Sequence, residues 1–312
     1  MRVLVTGGAG FIGSHLTDAL LERGDAVTVL DDLSTGLAGR LDPGVAVHRE
    51  SVTDAVALTR LAERIRPEVI CHLAARIDVR ASVADPAADA GVNVVGTINV
   101  LEAARAVDAR VVFASTGGAL YGADAEIPSP EGLTPEPEAP YGTAKYCAEQ
   151  YIGLYNRLYG TGHTVLRLGN VYGPRQDPAG EAGVVAIFCG RVLLGRRPTV
   201  FGDGAQTRDY VYVGDIVEAF RTAVDHGRPG VWNIGTGVPT SVLDLLELIG
   251  RTAGHAPEPL FAPARPGELQ HSALDVTRAT AELKWCARTS LAAGIAKTYK
   301  WAEAGEPIDA KC

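Results

Sequence analysis

The chain has few of the residues that indicate a metal site or a disulfide framework. Its 312 residues include five cysteines, which are scattered, odd in number and never spaced as CxxC. This pattern argues against a structural zinc site and against paired disulfides, and it suits a reducing compartment. We therefore predict reduced thiols, no metal and a cytoplasmic location.

An excess of positive charge is also missing. The chain has 29 basic residues against 37 acidic ones, a formal net charge of −8. Nucleic acids and anionic membranes both favour a basic surface, so we expect neither as a partner. Any anionic ligand must then be held by a few local groups.

Long apolar runs are absent as well. No run reaches the roughly 20 residues that a membrane span needs, and strand-like residues begin at Arg2 without a charged leader or a small-residue cleavage site. We expect no membrane association. The 46% of hydrophobic residues can still fill a substantial core, in two domains or one large one.

The opening stretch MRVLVTGGAGFIGSHLTDALLERGDAVTVLDD predicts a strand, a glycine-rich turn, a helix and a second strand. Gly7, Gly10 and Gly13 fall in the first turn, where backbone N–H groups and a helix N-terminus can hold a pyrophosphate. Asp31 closes the second strand, where a carboxylate can accept both ribose hydroxyls of an adenosine and would repel a 2′-phosphate. The arrangement favours NAD over NADP.

The same alternation continues with predicted strands at 68–75 and 110–116 and a helix through VNVVGTINVLEAARA between them. It predicts an α/β fold of the Rossmann type, a doubly wound parallel sheet whose ligands bind at the C-terminal strand ends. We expect Asn93 to start or stabilise the intervening helix.

Lysine is scarce, which makes one spacing informative. With five lysines and ten tyrosines in the chain, about 0.16 Tyr-xxx-Lys pairs are expected by chance, and one occurs at Tyr141 and Lys145. A helix that begins near Tyr141 places the two side chains one turn apart on one face. Beside a nicotinamide, the ammonium and the positive ring would lower the pKa of the phenol, so Tyr141 is predicted as a general base for a hydroxyl.

These motifs resemble the extended short-chain dehydrogenase/reductases that act on nucleotide sugars. GGAGFIG, LDDLSTG, CHLAA, FASTGGALYG, PYGTAK, LRLGNVYGPRQDP, TVFGDGAQTRDYVYVGDI and NIGTG follow the order of that family over nearly the whole chain. Within the family, the chain is most similar to bacterial UDP-glucose (UDP-galactose) 4-epimerases.

The resemblance implies three sets of residues. The catalytic set is Thr116, Tyr141 and Lys145. The NAD-binding set is Gly7, Gly10, Phe11, Ile12, Gly13, Asp31, Asp32, Ser34, Gly36, Ser51, Val52, Leu73, Ala74, Ala75, Asn93, Tyr141 and Lys145. The set for a UDP-sugar is Ser115, Thr116, Gly117, Tyr141, Asn170, Val185, Phe201, Arg208, Arg265, Glu268 and Ser272.

Several of these residues have distinct implied roles. Thr116 matches the residue that hydrogen-bonds the reacting hydroxyl, and Asn170 matches one that contacts the substrate pyrophosphate. Arg208 and Arg265 match arginines that hold the two phosphates, for which fork-shaped donors are suited. Glu268 corresponds to an acidic residue at the uridine ribose.

Two positions depart from the family pattern. Ser51 stands where the family usually has an aspartate near adenine, and a serine bonds the amino group more weakly. Ile77 stands where some epimerases have a lysine that contacts the cofactor. Nicotinamide-ribose contacts would then rest more on Lys145 and Tyr141.

The implied reaction is inversion at C4 of a UDP-hexose. Tyr141 takes the proton of the 4-hydroxyl while the hydride moves to the nicotinamide, and the 4-keto sugar turns before it recovers the hydride on the other face. Such a reaction needs a firmly held UDP and a loosely held hexose.

Four other functions stay open. A 4,6-dehydratase would carry Asp-Glu where this chain has Gly117 and Gly118, and a UDP-glucuronate 4-epimerase would need a cation where Asp177 is acidic. An epimerase of another nucleotide sugar is a third alternative. A non-enzymatic NAD-sensing protein would be expected to lack Tyr141 or Lys145, and both are present.

The predicted domains are interleaved. The NAD-binding domain is expected at 1–165 with returning segments near 209–235, and a smaller substrate domain at 166–312. Apolar residues extend beyond one face of the helix through VNVVGTINVLEAARA and of the helix from Tyr141. We therefore expect a homodimer.

Overall fold

The computed structural model describes residues 1–178, 183–265 and 269–305. Within these residues, seven parallel strands form the main sheet. The strands of the chain are β1 Arg2–Thr6, β2 Ala26–Leu30, β3 Ala46–His48, β4 Val69–His72, β5 Arg110–Thr116, β6 Thr164–Leu168, β7 Asn170–Tyr172, β8 Thr199–Phe201, β9 Thr207–Tyr212, β10 Gly230–Ile234, β11 Pro239–Ser241 and β12 Leu260–Ala262.

The order of strands across the main sheet is β10-β6-β5-β4-β1-β2-β3. The order reverses direction at β1, and the first glycine turn follows that strand, so the crevice for a dinucleotide lies there. The helices are α1 Phe11–Glu22, α2 Ala55–Ile65, α3 Val79–Ala84, α4 Pro86–Ala90, α5 Gly96–Ala106, α6 Pro140–Tyr159, α7 Val184–Leu193, α8 Val213–His226, α9 Val242–Ala253 and α10 Leu291–Glu303.

The predicted α/β fold is confirmed, and most differences lie at element ends. The strand predicted at 110–116 is β5 without change, whereas the one predicted at 68–75 ends at His72. The chain leaves the sheet after His72 to form the loop of the crevice. The predicted helix through VNVVG opens with a π-helical turn, Gly91–Val95, before α5 continues.

Two apolar clusters cover the faces of the main sheet. One joins strands β1 and β6 to α1 and α8, with Leu16, Phe220 and Trp232 among its buried side chains. The other joins the opposite face to α2, α5 and α6, with Leu61 and Phe113. Both strand faces are therefore buried, as their continuous β-branched runs predict.

The C-terminal half builds a second, smaller layer. β7, β9 and β11 form a three-stranded sheet, β8 pairs with β12, and α7, α9 and α10 enclose a further apolar cluster. β10 returns to the main sheet beside β6. No helix among the described residues is both long and apolar enough to cross a membrane.

Candidate active site

The glycine turn after β1 has no room for side chains. Gly7 has a φ of +70°, and a Cβ built on it would lie 2.6 Å from the backbone nitrogen of Ala74. A Cβ on Gly13 would lie 2.1 Å from the carbonyl oxygen of Gly7. α1 begins at Phe11 and has no acidic residue in its first turn. The first amides of α1 can therefore meet an anion directly.

Asp31 is held at the end of β2 by backbone amides. Its carboxylate accepts hydrogen bonds from Ala9 N and from Leu33 N, each at 2.9 Å. Burial raises the pKa of Asp31, and the two amides oppose that rise. A Cβ on Gly36 would approach the Asp31 carboxylate to 2.8 Å, so this loop passes directly over the acid. The carboxylate keeps lone pairs for two ribose hydroxyls.

The other residues predicted around the adenosine have partners within the protein. Asp32 accepts hydrogen bonds from the backbone N and the hydroxyl of Ser34, at 2.9 and 2.6 Å. The Ser51 hydroxyl lies 2.9 Å from that of Thr53. The Val52 side chain is buried against Gly96, and its carbonyl oxygen accepts a hydrogen bond from Asn99 Nδ2 at 3.0 Å.

A chain of hydrogen bonds joins β1 to the loop after β4. The Thr6 hydroxyl lies 2.7 Å from His72 Nδ1, and His72 Nε2 lies 3.1 Å from the Thr97 hydroxyl, which donates to Asn93 O. Because Thr97 uses its proton on Asn93 O, His72 carries its proton on Nε2. Burial lowers the pKa of His72 to about 3, so the ring is neutral.

Asn93 holds the loop that contains Leu73, Ala74 and Ala75. Its amide nitrogen donates to Arg76 O at 2.9 Å and to Asp89 Oδ1 at 3.0 Å, and its amide oxygen accepts from Arg76 N at 3.0 Å. Asn93 is predicted from the sequence to start or stabilise the helix, whereas its side chain mainly ties that helix to the loop after β4. A contact between Asn93 and the cofactor stays a prediction.

α6 places Tyr141 and Lys145 one turn apart, as predicted. The Lys145 ammonium donates to the carbonyl oxygen of Ala114 at 2.9 Å and lies over the Phe113 ring at 4.6 Å. The Tyr141 backbone N donates to the hydroxyl of Ser82 at 3.2 Å, which fixes the start of the helix against α3. Thr116 ends β5 beside the phenol.

The ionisation of Tyr141 in the protein alone leaves the prediction untested, because the predicted lowering of its pKa requires the nicotinamide as well. Burial and the nearby charge of Asp89 raise the pKa of Tyr141 to about 12, and the Thr116 hydroxyl opposes the rise. The expected lowering of the pKa therefore depends on a positive charge beyond the side chains. Burial lowers the pKa of Lys145 to about 8, against Asp89 and Glu149, which raise it.

The hydroxyl of Ser115 has a partner within the protein, and its predicted contact with the substrate stays a prediction. Its hydroxyl donates to Glu149 at 2.5 Å, and Glu149 forms a buried ion pair with Arg167 at 2.6 Å. Successive residues of a strand point to opposite faces, so Thr116 faces Tyr141 while Ser115 faces this pair. Ser115 anchors the end of β5 to α6.

Asn170 lies next to the catalytic strand end. A Cβ on Gly118 would lie 3.0 Å from Asn170 Oδ1, and this oxygen is buried with no hydrogen-bond partner among the described residues. A buried acceptor of this kind is costly unless a ligand satisfies it. Gly117 contacts the segment that carries Ser272, since a Cβ there would lie 2.6 Å from the Leu274 side chain.

A separate cavity of about 240 Å³ adjoins β8 and is lined by Phe201, Gly202, Asp203, Gln206, Ala264, Arg265 and Gln270. The Arg265 guanidinium lies 3.9 Å from the centre of the Phe201 ring. Arg208 lies on β9, where its side chain donates to Thr207 O at 2.8 Å. The cavity thus combines an aromatic face with a cation.

Val185 and Glu268 are the remaining residues predicted to bind the substrate. The Val185 side chain is 1% exposed and packs inside the apolar cluster of α7, and its predicted contact with a substrate stays a prediction. The buried, inward-facing position on α7 leaves it no free surface. Glu268 lies outside the described residues.

Sequence reasoning missed three buried acids. Asp209 accepts hydrogen bonds from Thr236 N and Gly237 N, at 2.8 and 2.9 Å, and so orders the NIGTG turn. Glu149 lies one turn after Lys145, a spacing that could have identified it. Asp89 lies in a short helix without a clear periodic pattern, and the sequence alone has no signal for its proximity to Tyr141.

Comparisons with known proteins identify the chain's relatives. Residues 3–235 match the NAD dependent epimerase/dehydratase family. A UDP-glucose 4-epimerase of Mycolicibacterium smegmatis is 47% identical, with 96% of this chain and 98% of the relative covered. A putative UDP-glucose 4-epimerase of Methanocaldococcus jannaschii is 44% identical, with 96% and 97% covered.

Solved structures agree with this match. The Thermotoga maritima UDP-glucose 4-epimerase with UDP-glucose has a TM-score of 0.96 and 44% identity, with 98% of this chain and 100% of that chain covered. The Thermus thermophilus UDP-glucose 4-epimerase complex with NAD has a TM-score of 0.92 and 43% identity, with the same coverage.

Proposed function

Because the chain belongs to the NAD dependent epimerase/dehydratase family, we propose that it is an enzyme that inverts C4 of a UDP-hexose and interconverts UDP-glucose and UDP-galactose. The observation that carries the proposal is the grouping of Thr116, Tyr141 and Lys145 at the C-terminal edge of the sheet. The full-length similarity to UDP-glucose 4-epimerases supports it.

NAD fits the crevice at β1. The glycine turn from Gly7 to Gly13 would hold the pyrophosphate, because a Cβ at either residue would collide with backbone. Asp31 would bind the adenosine ribose, and Lys145 and Tyr141 would meet the nicotinamide ribose. Bound NAD supplies a hydride acceptor that returns the hydride within the same turnover.

The side chains of the chain carry the proton. Tyr141 takes the proton of the sugar 4-hydroxyl as general base and gives it back when the new C4 configuration forms. The Thr116 hydroxyl bonds the reacting oxygen and stabilises the phenolate. Lys145 keeps a positive charge near the phenol while its bond to Ala114 O holds it in place.

The UDP moiety is proposed to bind across β7, β8 and β9. Asn170 offers its amide N–H groups, and Arg208 and Arg265 offer guanidinium donors, for two phosphates. The Asn170 oxygen, which has no hydrogen-bond partner among the described residues, can accept only from a hydroxyl or N–H group of the ligand. Phe201 and the cavity beside it suit a planar base. These anchors lie at the nucleotide, which leaves the hexose free to turn.

Gly117 and Gly118 weigh against elimination chemistry. A dehydratase needs an acid and a base at these positions, but a Cβ on Gly117 would lie 2.6 Å from Leu274 and one on Gly118 would lie 3.0 Å from Asn170. An Asp-Glu pair at these positions would require the end of the Leu274 side chain and the Asn170 amide to move. Epimerisation needs no such pair.

The proposed homodimer uses the outer faces of α5 and α6. Val95 just before α5 and Tyr151, Leu154 and Leu158 on α6 are exposed, at 51%, 38%, 40% and 62%. Neighbouring exposed apolar side chains on two adjacent helices favour a self-complementary contact about a two-fold axis. Sedimentation at micromolar concentration would show only monomer if this proposal is wrong.

The division into domains and the cellular location are also proposals. Residues 1–165 with 209–235 would bind NAD, and the rest of 166–312 would bind the substrate, supported by the separate apolar cluster of α7, α9 and α10. A cytoplasmic location is supported by the free thiols of Cys71, Cys147, Cys189 and Cys286.

The test is direct conversion. The purified protein is mixed with UDP-galactose without added NAD, and the nucleotide sugars are separated and identified. We expect UDP-glucose to form until the two sugars reach equilibrium. A 4-keto-6-deoxy product would indicate a dehydratase, and no product in the presence of added NAD would contradict the proposal.

A further inference from the structure

Asp89 is a buried acid that the proposed mechanism does not use. It lies on α4 and is 1% exposed. Oδ1 accepts a hydrogen bond from Asn93 Nδ2 at 3.0 Å, while Oδ2 is buried with no hydrogen-bond partner among the described residues. A half-satisfied buried carboxylate is costly unless another charge or ligand compensates it.

The fold places Asp89 beside the catalytic helix. A cavity of about 470 Å³ lies between α4 and the start of α6, with Asp89 and Ala90 on one wall and Pro140, Thr143 and Ala144 on the other. Thr143 and Ala144 lie between Tyr141 and Lys145 in α6. α4 thus packs against the turn of α6 that carries both catalytic side chains. The charge of Asp89 acts to raise the pKa of Tyr141 and opposes the lowering of the Lys145 pKa by burial.

Other charged groups face this site from the surrounding elements. Arg76 in the loop after β4 faces Asp89, and Glu149 of α6 and neutral His72 of β4 face Lys145. Glu138 lines the same cavity but is exposed. Asp89 is the only one of these acids that acts on both Tyr141 and Lys145.

We propose that Asp89 is a positioning residue for proton transfer, whose buried carboxylate balances the ammonium of Lys145 and holds the proton on Tyr141 until a positive charge arrives beside the phenol. This inference rests on the proposed function. Without a positive charge beside the phenol, Asp89 would keep Tyr141 protonated. The positive ring of an oxidised nicotinamide would oppose Asp89 and favour the phenolate.

The sign of the effect follows from Coulomb interactions. A negative charge near a phenol disfavours the phenolate, and near an ammonium it favours the charged form. Removal of the Asp89 charge must therefore lower the pKa of Tyr141 and of Lys145 together. A loss of structure alone would not move both in the same direction.

The experiment compares Asp89→Asn with Glu138→Gln, which removes one negative charge from the exposed rim of the same cavity. We measure kcat/KM for UDP-galactose from pH 5 to pH 10. The acid limb of the profile reports the loss of the Tyr141 proton, and the alkaline limb reports the loss of the Lys145 charge. In Asp89→Asn, both limbs should move to lower pH by at least about half a unit. Glu138→Gln should leave the profile in place, because its charge is screened by solvent.

A second measurement does not depend on turnover. The holoenzyme is labelled with tyrosine carrying ¹³C at Cζ, the Tyr141 signal is assigned by its loss in Tyr141→Phe, and its titration is followed by NMR. The midpoint should fall in Asp89→Asn and stay in Glu138→Gln. If Asp89→Asn does not fold, Asp89→Ala removes the same charge, and the space that it leaves joins the adjoining cavity.

The outcomes separate the two proposals. A wild type that does not interconvert the UDP-sugars overturns the proposed function, yet the NMR titration still reports on Asp89. An active wild type whose pH profile and Tyr141 titration are the same in Asp89→Asn overturns the role of Asp89. Equal shifts in Asp89→Asn and Glu138→Gln overturn it as well.

Discussion

The Lys145 ammonium donates a hydrogen bond to the carbonyl oxygen of Ala114, two residues before Thr116, at 2.9 Å. This bond joins the catalytic helix α6 to the end of β5. It fixes the ammonium at a strand end whose position is set by the core of the sheet. The Lys145 ammonium is thus fixed in position, one helical turn along α6 from Tyr141, before any ligand binds.

The first prediction concerns pH. Burial lowers the pKa of Lys145 to about 8, so the ammonium is present below that pH and is lost as the pH rises through it. With the charge lost, the phenolate of Tyr141 is less stable and kcat should fall above about pH 8. The measurement is kcat from pH 6 to pH 10, with thermal unfolding at each pH to confirm that the protein stays folded.

A matched variant tests whether Lys145 causes this fall in kcat at alkaline pH, the alkaline limb of the profile. Lys145→Arg keeps its charge throughout this range, so the limb should disappear from whatever activity remains. A wild-type kcat that stays level to pH 10 would contradict a role for the Lys145 charge.

The second prediction concerns the glycine turn. In Gly13→Ala the new Cβ would lie 2.1 Å from Gly7 O, so the turn must open and the bound NAD should be lost. Gly39→Ala is the control, because a Cβ there meets nothing within 4 Å. NAD content is measured by absorbance after denaturation of the purified proteins. Equal NAD content in the two variants would show that the turn does not hold the cofactor.

Much of this site could be predicted because its chemistry depends on local patterns. The glycine turn, Asp31 and the Tyr141–Lys145 spacing each lie within one strand-turn-helix unit or one helical turn. Their geometry follows from the period of the backbone. Because the strands are parallel, the C-terminal ends of β1, β4 and β5 lie at one edge of the sheet, and this follows from the predicted fold alone.

The sequence does not predict side-chain environments that depend on distant segments. The partner of Ser115, Glu149, lies on α6 and is itself paired with Arg167 on β6. The burial of Val185 is decided by the packing of α7. The pKa of Tyr141 depends on Asp89, which is 52 positions earlier in the printed sequence.

The third prediction concerns substrate range. Ser272 is 9% exposed, and its segment contacts Gly117 at the catalytic strand end through Leu274. A serine leaves space for a 2-substituent, so we expect the N-acetyl forms of both UDP-sugars to be interconverted as well. In Ser272→Tyr, kcat/KM for the N-acetyl substrate should fall at least about tenfold relative to UDP-galactose, a difference that one steric clash can supply.

The control for that variant is its neighbour. His271 is exposed whereas Ser272 is buried, and His271 Nδ1 lies 3.1 Å from the Thr207 hydroxyl. His271→Tyr should leave the ratio of the two kcat/KM values unchanged. If wild type rejects the N-acetyl sugars, or Ser272→Tyr keeps the ratio, Ser272 does not limit the pocket.

The fourth prediction concerns Tyr141. Tyr141→Phe should keep the binding of NAD and UDP but lower turnover at least about 10²-fold, the scale of lost general-base catalysis. Tyr299→Phe on α10 makes the same chemical change away from the sheet edge and should have near wild-type turnover. Near-normal turnover in Tyr141→Phe would remove this residue from its proposed role.

The central claim is that one bound NAD takes and returns the same hydride while Tyr141 carries the proton. The most direct measurement is the conversion of UDP-galactose that carries deuterium at C4 of the sugar, in ordinary water and without added NAD. We predict UDP-glucose that retains deuterium at C4. Product with hydrogen from the solvent at C4, or conversion that requires added NAD in stoichiometric amounts, would contradict the account.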